Sequence, residues 1–226
     1  MESLERKTAT VLLIILDLII IALEITGFII NFPYDRWKMV RYYTQDSNFV
    51  SLVACLIQVI YYLFNRKDND SFSFPRWITV LKYLAACSLF ITFIVVLAVL
   101  APGDCIQKYH SLYGYYNMCF YGSRLYHHTI CPILAVISFV FLESPDMFKK
   151  TDPFIIVFYT LVYGITLLAL NYFYVVRGPY TFLHVHDQPW YITLLWTILL
   201  LGAAYGTGIL IIKQNKKKSV SRKIQK

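Results

Sequence analysis

The stretch "TVLLIILDLIIIALEITGFII", residues 10–30, is an apolar run of 21 residues with only two charged side chains, Asp17 and Glu24. A helix of about 20 apolar residues crosses the hydrocarbon core of a bilayer. The two carboxylates are seven residues apart, so they share one face of such a helix. Because a carboxylate at membrane depth is costly, we expect this face to turn toward other helices.

Five more apolar blocks of spanning length follow the first. They cover about residues 44–64, 77–101, 120–142, 153–176 and 190–212, and the third is expected to end at Pro102 and Gly103. The chain is 58% hydrophobic and only 15% charged, which leaves too few polar residues to cover a soluble domain of this size. We therefore predict an all-α fold, a multi-pass transmembrane bundle of six helices in residues 1–212, followed by a tail in residues 213–226.

The formal net charge is +8, and most of the excess lies in that tail. Basic residues directly after a spanning helix indicate its cytoplasmic end and contact anionic lipid. An even number of spans puts both termini on one side, and Arg6 and Lys7 agree with the tail, so we predict a cell-membrane protein with both termini in the cytoplasm. Since no aromatic residues interleave with the basic ones, we expect no nucleic-acid partner. The tail's basic residues are Lys213, Lys216, Lys217, Lys218, Arg222, Lys223 and Lys226.

The five cysteines show no metal-binding spacing. Cys55, Cys87 and Cys131 lie in apolar runs, where cysteine usually packs as a small apolar residue. Cys105 and Cys119 flank one tyrosine-rich loop, and they could form a disulfide if that loop faces an oxidising compartment.

A polar stripe runs along the second span. Its members are separated by steps of four, three, four and three residues, which places them on one helix face. Such a face turns toward the bundle interior or a hydrated cavity, although small polar residues also simply bond neighbouring helices. The stripe consists of Thr44, Asn48, Ser51, Cys55 and Gln58.

The histidines cluster on the predicted outer side of the membrane. His127 and His128 precede Pro132, whose ring clashes with the carbonyl four residues earlier, so we expect a distorted helix and a freed backbone acceptor near the pair. Arg124 is one turn from His128, and Glu24 is close enough in depth to orient a histidine or Arg124. The five histidines are His110, His127, His128, His184 and His186.

Three motifs resemble the androgen-induced membrane hydrolases and their bacterial multi-pass relatives. They are "YYTQDSNFVSLVACLIQ" at the second span, "HHTICP" at the fourth and "GPYTFL" before the last. The resemblance implies a multi-pass enzyme that cleaves fatty-acid esters of hydroxy fatty acids with an intramembrane threonine and histidine. Thr44 and His127 match that catalytic pair. The later segment of the family matches Pro179, Tyr180, Phe182 and Leu183.

The chemistry expected from these residues is ester hydrolysis without a cofactor. Thr44 is the predicted nucleophile, and His127 or His128 is the base that takes its proton. The other histidine, Arg124 or a nearby amide would stabilise the oxyanion, with Asn48 and Glu24 in supporting positions. The acyl ester substrate is expected to enter from the bilayer, so membrane lipids are the predicted partners.

Two other functions remain open from the sequence. His184 and His186 form an H-x-H pair that, together with His127 or His128, could bind zinc in a metal-dependent hydrolase. Alternatively, the protein is not an enzyme: Asp17, Glu24 and the polar second span would then line the path of a small transporter, or serve a membrane protein that binds lipid or a partner.

Overall fold

The computed structural model describes residues 2–66, 72–144 and 147–224, and within these ranges every regular element is helical. Five short π or 3-10 segments extend or connect the α-helices in the described ranges, at Arg36–Arg41, Val96–Leu100, Cys105–Tyr109, Leu125–Ile130 and Thr181–Leu183. The α-helices are α1 (Glu2–Asp35), α2 (Tyr43–Asn65), α3 (Arg76–Val95), α4 (Ala101–Asp104), α5 (Tyr113–Phe120), α6 (Cys131–Leu142), α7 (Pro153–Tyr172) and α8 (Trp190–Ile224).

Six helices in the described residues are long and apolar enough to cross a membrane. They confirm the predicted all-α multi-pass bundle and the predicted number of spans. Because this number is even, the start of α1 and the end of α8 lie at one end of the bundle, here called the terminal end, and the other is the distal end. The spans are Lys7–Arg41, Tyr43–Asn65, Arg76–Tyr109, Leu125–Leu142, Pro153–Tyr172 and Trp190–Lys218.

The third span is longer than predicted. It does not end at Pro102 and Gly103 but continues to Tyr109. Proline cannot donate the backbone bond of an ordinary helical turn. The wider π segments Val96–Leu100 and Cys105–Tyr109, on either side of α4, keep the chain helical around it.

The helices form two groups that share α3 and α6. In the first group, α1 packs on α2 and α6, and α2 packs on α3. In the second, α7 and α8 pack on each other and against α3, while α8 also contacts α6. The largest apolar cluster, which includes Tyr83, Phe139, Ile156 and Ala204, lies where the second group meets α3 and α6.

Two other expectations concern the tail and the cysteines. Helix α8 continues through residue 213 to Ile224, so the predicted basic tail begins within this helix. The side chains of Arg6, Arg222, Lys223 and Lys226 lie outside the described part of the chain. Cys105 and Cys119 are both free thiols, so the disulfide considered for this loop is not formed.

Candidate active site

The two adjacent histidines lie in the π segment Leu125–Ile130, immediately before α6 and its Pro132. The helical distortion expected near this proline therefore takes the form of a widened turn. Both imidazoles are buried, and the backbone carbonyl of His127 accepts a hydrogen bond of 3.1 Å from the Asn48 side chain. The turn thus connects the start of the fourth span to α2.

Helix α1 fixes the ring of His127. Nε2 of His127 lies 3.2 Å from the backbone oxygen of Glu24 and 3.4 Å from the Glu24 carboxylate. Phe28 contacts the ring at a centroid distance of 4.7 Å. Gly27 is required here, because a Cβ atom at that position would overlap the imidazole.

This arrangement selects one tautomer of His127. Nε2 faces two oxygen acceptors, so it carries the proton in the neutral ring. Nδ1 then holds the free lone pair, and it is buried with no hydrogen-bond partner in the described part of the chain. A buried imidazole with one nitrogen held by a backbone carbonyl, beside a carboxylate, and with the other nitrogen free can act as a base.

Thr44 lies in the first turn of α2, close to the His127 turn. The Asn48 amide nitrogen donates to the Thr44 carbonyl at 2.5 Å as well as to that of His127. One side chain therefore bridges the backbones of both candidate catalytic residues. Among the described residues, however, no hydrogen bond joins the Thr44 hydroxyl to either imidazole.

The Thr44 side chain lines a cavity of about 80 Å³ between α2, α3, α7 and α8. Apart from hydroxyl groups, the cavity wall is apolar, with Leu168 on α7 and Leu200 on α8 among its members. Ile165 also lines the cavity and is 57% exposed on the bundle surface, where lipid would lie. The hydroxyl-bearing residues on the wall are Tyr43, Thr44, Thr92, Thr160, Tyr163, Tyr180 and Thr197.

Tyr180 also lies on this wall. The spacing of residues in the sequence did not by itself identify it as part of the site. Its hydroxyl approaches Thr44 and has no hydrogen-bond partner in the described structure. The ring stacks on Phe182 at 5.1 Å and meets Tyr42 edge-on at 6.3 Å, so its orientation is fixed. Burial raises the pKa of the Tyr180 hydroxyl above its usual value, and the group therefore stays protonated as a donor.

Three hydrogen bonds anchor the start of α2 to α7 beside the cavity. The backbone N–H of Tyr43 donates to the Tyr163 hydroxyl at 2.9 Å, and that hydroxyl donates to the Arg41 carbonyl at 2.7 Å. The Tyr43 hydroxyl lies 3.2 Å from that of Thr160. These contacts hold Thr44 in place on the cavity wall.

His128 and Arg124 have different surroundings from His127. His128 Nδ1 lies 2.7 Å from the Met118 carbonyl, and Arg124 donates to the Asn117 carbonyl at 3.1 Å. Like His127, neither residue lines the cavity. Both instead hold α5 against the start of the fourth span.

The H-x-H pair is bound within its own loop. His184 Nε2 is 2.7 Å from the Gly178 carbonyl, and His186 stacks on Tyr174 at 4.1 Å. In the described ranges, no three histidine, cysteine or carboxylate side chains are grouped as metal ligands would be. The structure therefore does not bring His127 or His128 to this pair.

A buried ion pair lies deeper in the first helix group. Lys82 on α3 donates to the Asp17 carboxylate and lies 3.1 Å from the Cys55 sulfur. Nearer the terminal end, Gln58 donates to the Glu143 carboxylate at 2.7 Å. The residues of the polar stripe on α2 that lie nearer the terminal end, Cys55 and Gln58, thus bond neighbouring helices. Lys82 was not singled out in the sequence, although a lysine inside an apolar span is itself a signal of a buried partner.

The resemblance to the androgen-induced hydrolases rests on three motifs, each of which places one residue at the distal end. Thr44 lies in the first turn of α2, His127 occupies the π turn, and Tyr180 lies on the cavity wall. No protein-family model matches the chain, and no curated protein or solved structure is detectably similar to it.

Proposed function

We propose that the protein is an intramembrane hydrolase of lipid esters, with Thr44 as the nucleophile and His127 as the general base. One observation carries this proposal: Asn48 bonds to the backbones of both residues while the Thr44 side chain lines an apolar cavity. A reactive hydroxyl on an apolar wall suits a substrate with a long acyl chain. The fold supports this setting, since the cavity lies within a multi-pass helical bundle.

The cavity indicates where the acyl chain would bind. Its apolar walls on α7 and α8 offer contacts to methylene groups, each worth about 0.8 kcal/mol when buried. The exposed Ile165 indicates a lateral opening between lipid and cavity. The substrate is then an ester of a fatty acid, such as a fatty-acid ester of a hydroxy fatty acid, that enters from the cell membrane; both termini of the protein face the cytoplasm.

The first half of the reaction forms an acyl-enzyme. His127 Nδ1 takes the hydroxyl proton as Thr44 Oγ1 attacks the ester carbonyl carbon. Glu24 stabilises the resulting imidazolium through Nε2, and the Tyr180 hydroxyl donates to the oxyanion. The carbon–oxygen bond to the alcohol breaks, and His127 returns its proton to the leaving alkoxide.

The second half releases the fatty acid. His127 takes a proton from a water molecule whose oxygen attacks the acyl carbon, and the bond to Thr44 Oγ1 breaks as that oxygen regains a proton. Both halves require the Thr44 hydroxyl to turn toward His127. Catalytic hydrogen bonds often shorten only when substrate binds, and rotation about one side-chain torsion between staggered positions is an easy motion.

The test uses the purified full-length protein in lipid nanodiscs with p-nitrophenyl esters of increasing acyl length. We expect hydrolysis by the wild type and by Thr44→Ser, loss of hydrolysis in Thr44→Ala, and an acyl adduct on Thr44 detected by mass spectrometry. Thr197→Ala is the matched control, because this threonine lines the same cavity but its hydroxyl is bonded to the Thr193 carbonyl. A wild type that cleaves none of the esters, or a fully active Thr44→Ala variant, contradicts the proposal.

A further inference from the structure

Buried polar side chains continue from His127 toward both ends of the bundle. On α1, Asp17, Glu24, Asn31 and Asp35 are spaced by seven, seven and four residues and share a face. From Asp17 to Asp35 the helix advances by 18 residues, or about 27 Å. This length is close to the thickness of a bilayer core, about 30 Å. We call the following set the polar row: Asp17, Glu24, Asn31, Asp35, Asn48, Ser51, Cys55, Gln58, Lys82, Ser123, His127, Cys131 and Glu143.

The row begins at Glu143, at the terminal end of the fourth span. Gln58 donates to this carboxylate, and both Lys82 and Asp17 act on it electrostatically. The ion pair of Lys82 and Asp17, with Cys55 beside it, forms the next position. Three helices, α1, α2 and α3, contribute to this part of the row.

Glu24 and His127 form the middle of the row. The Glu24 carboxylate faces Ser51 and Cys131 on one side and His127 Nε2 on the other. Asn48 adds an amide next to the histidine. The carboxylates of Asp17 and Glu24 therefore follow one another along the row about two helical turns apart.

The distal part of the row reaches half-buried residues. The backbone N–H of His127 donates to the Ser123 carbonyl, and the Ser123 hydroxyl donates to Asn31 at 3.3 Å. Asn31 in turn donates to the Asp35 carboxylate at 3.1 Å. The row thus extends from one end of the bundle to the other.

Several buried polar atoms of the row have no hydrogen-bond partner within the described chain. Each such atom costs about 1–3 kcal/mol when it stays unpaired, and polar sites of this kind in proteins are satisfied by internal water. Apolar side chains at these positions would not carry the free-energy cost of unpaired polar atoms. The atoms are Asp17 Oδ2, Glu24 Oε1 and Oε2, Asn48 Oδ1, Ser51 Oγ, Gln58 Oε1 and His127 Nδ1.

We propose that the polar row transfers protons between the two ends of the bundle through its carboxylates, its histidine and bound water. In each step one O–H or N–H bond breaks as another forms: a proton passes from Asp35 through water beside Asn31 and binds His127 Nδ1 as the Nε2 proton leaves for Glu24, and from Glu24 it reaches Asp17 and Glu143 through water. The reverse sequence returns it. No other bond changes, and the transfer does not depend on ester hydrolysis.

Two features favour protons over larger cations. The ammonium group of Lys82 lies in the middle of the row, where it repels any metal ion that approaches. The described side chains also contain no group of three metal ligands. A proton, in contrast, needs only an acceptor atom at each position.

Glu143 is suited to admit protons near neutral pH. It is buried among Gln58, Lys82, Asp17 and the side chain of Asn215, which donates to its backbone carbonyl at 3.0 Å. Burial raises the pKa of the Glu143 carboxyl to about 7. The group therefore both binds and releases protons at physiological pH.

The experiment measures proton flux in liposomes that contain the purified full-length protein and a pH-sensitive dye. A potassium diffusion potential set by valinomycin drives protons inward. We expect faster acidification than in liposomes without protein, and loss of this difference in the Asp17→Leu/Lys82→Met double variant. Replacing both members of a buried ion pair with apolar residues usually preserves folding.

Further variants keep the test decisive. Glu24→Gln retains shape but cannot accept a proton, and we expect it to lose the flux as well. The matched control is the double variant Arg76→Gln/Asp152→Asn, which removes an ion pair of 2.5 Å outside the row and should conduct like the wild type. Wild-type flux equal to that of empty liposomes, or undiminished flux in Glu24→Gln and in the Asp17/Lys82 double variant, would overturn the proposal.

Discussion

The two sides of α2 face different kinds of interior. Toward α7 and α8, Thr44 lines a cavity whose polar groups are uncharged hydroxyls. Toward α1, Asn48 and Gln58 lie among carboxylates, an ammonium group and an imidazole. Among the side chains of α7 and α8 that the structure describes, no charged one is buried.

The difference shows how one helical bundle can separate lipid from charge. The cavity lies near the lipid-exposed surface at Ile165, where buried charges would be costly and hydroxyl groups are not. The polar row is enclosed by the four helices of the first group, which can offer each charge a partner. His127 belongs to the row, yet Asn48 ties it to Thr44 of the cavity.

Replacement of His127 is expected to have the largest effect, because this residue connects the two sides. His127→Gln should lower kcat/KM for p-nitrophenyl esters by about 10⁴-fold, as loss of a catalytic base does in other hydrolases. His128→Gln is the neighbouring control. Since His128 Nδ1 is bonded to the Met118 carbonyl whereas His127 Nδ1 is free, we expect a much smaller loss. Equal losses in both variants would mean that the two histidines act through packing rather than chemistry.

Among the proposed variants, breaking the ion pair of the polar row should lower the unfolding free energy most. Asp17→Leu leaves the Lys82 ammonium group buried without its partner, which costs about 3–5 kcal/mol of unfolding free energy. Asp17→Leu/Lys82→Met should recover most of that loss. Unfolding in mixed micelles of increasing dodecyl sulfate content measures both values. If the single variant is as stable as the wild type, the pair is not charged in the folded protein.

The fold was predictable from the sequence because each span is a long apolar block, whereas much of the site was not. Asp17 indicated a buried partner, but Lys82 lies 65 residues away and only packing brings them together. Periodicity placed Thr44 and Asn48 on one face, yet they are about 40° apart around the helix, enough for Thr44 to line the cavity while Asn48 reaches His127. Tyr180 was identified only through the family resemblance, since its loop has no regular period.

Replacement of Tyr180 changes the cavity beside Thr44 and leaves the polar row unchanged. Tyr180→Phe removes the free hydroxyl beside Thr44 and keeps the stacked ring, so we expect kcat to fall about 10²–10³-fold with little change in KM. Tyr159→Phe is the matched control, because its hydroxyl is also buried and unpaired but does not line the cavity. Similar kinetics for both variants and the wild type would exclude Tyr180 as an oxyanion donor.

The smallest effect we expect is a pH dependence of stability from Glu143 on the polar row. Its pKa is about 7 in the folded protein, against an ordinary value of 4.5. The folded state therefore binds this proton more tightly than the unfolded state does. The resulting stabilisation is complete below about pH 4.5 and is lost as the pH rises through about 7, a change of about 1–3 kcal/mol.

Glu143→Gln isolates this contribution, because the amide retains the shape of the side chain but does not titrate. We expect its unfolding free energy to fall less steeply than that of the wild type between pH 4.5 and 7. Tyr180→Phe should keep the wild-type slope, since the cavity wall contributes hydroxyls rather than carboxylates. If Glu143→Gln leaves the slope unchanged, Glu143 is already ionised at pH 4.5, and the terminal end of the polar row would then need another group to accept protons near neutral pH.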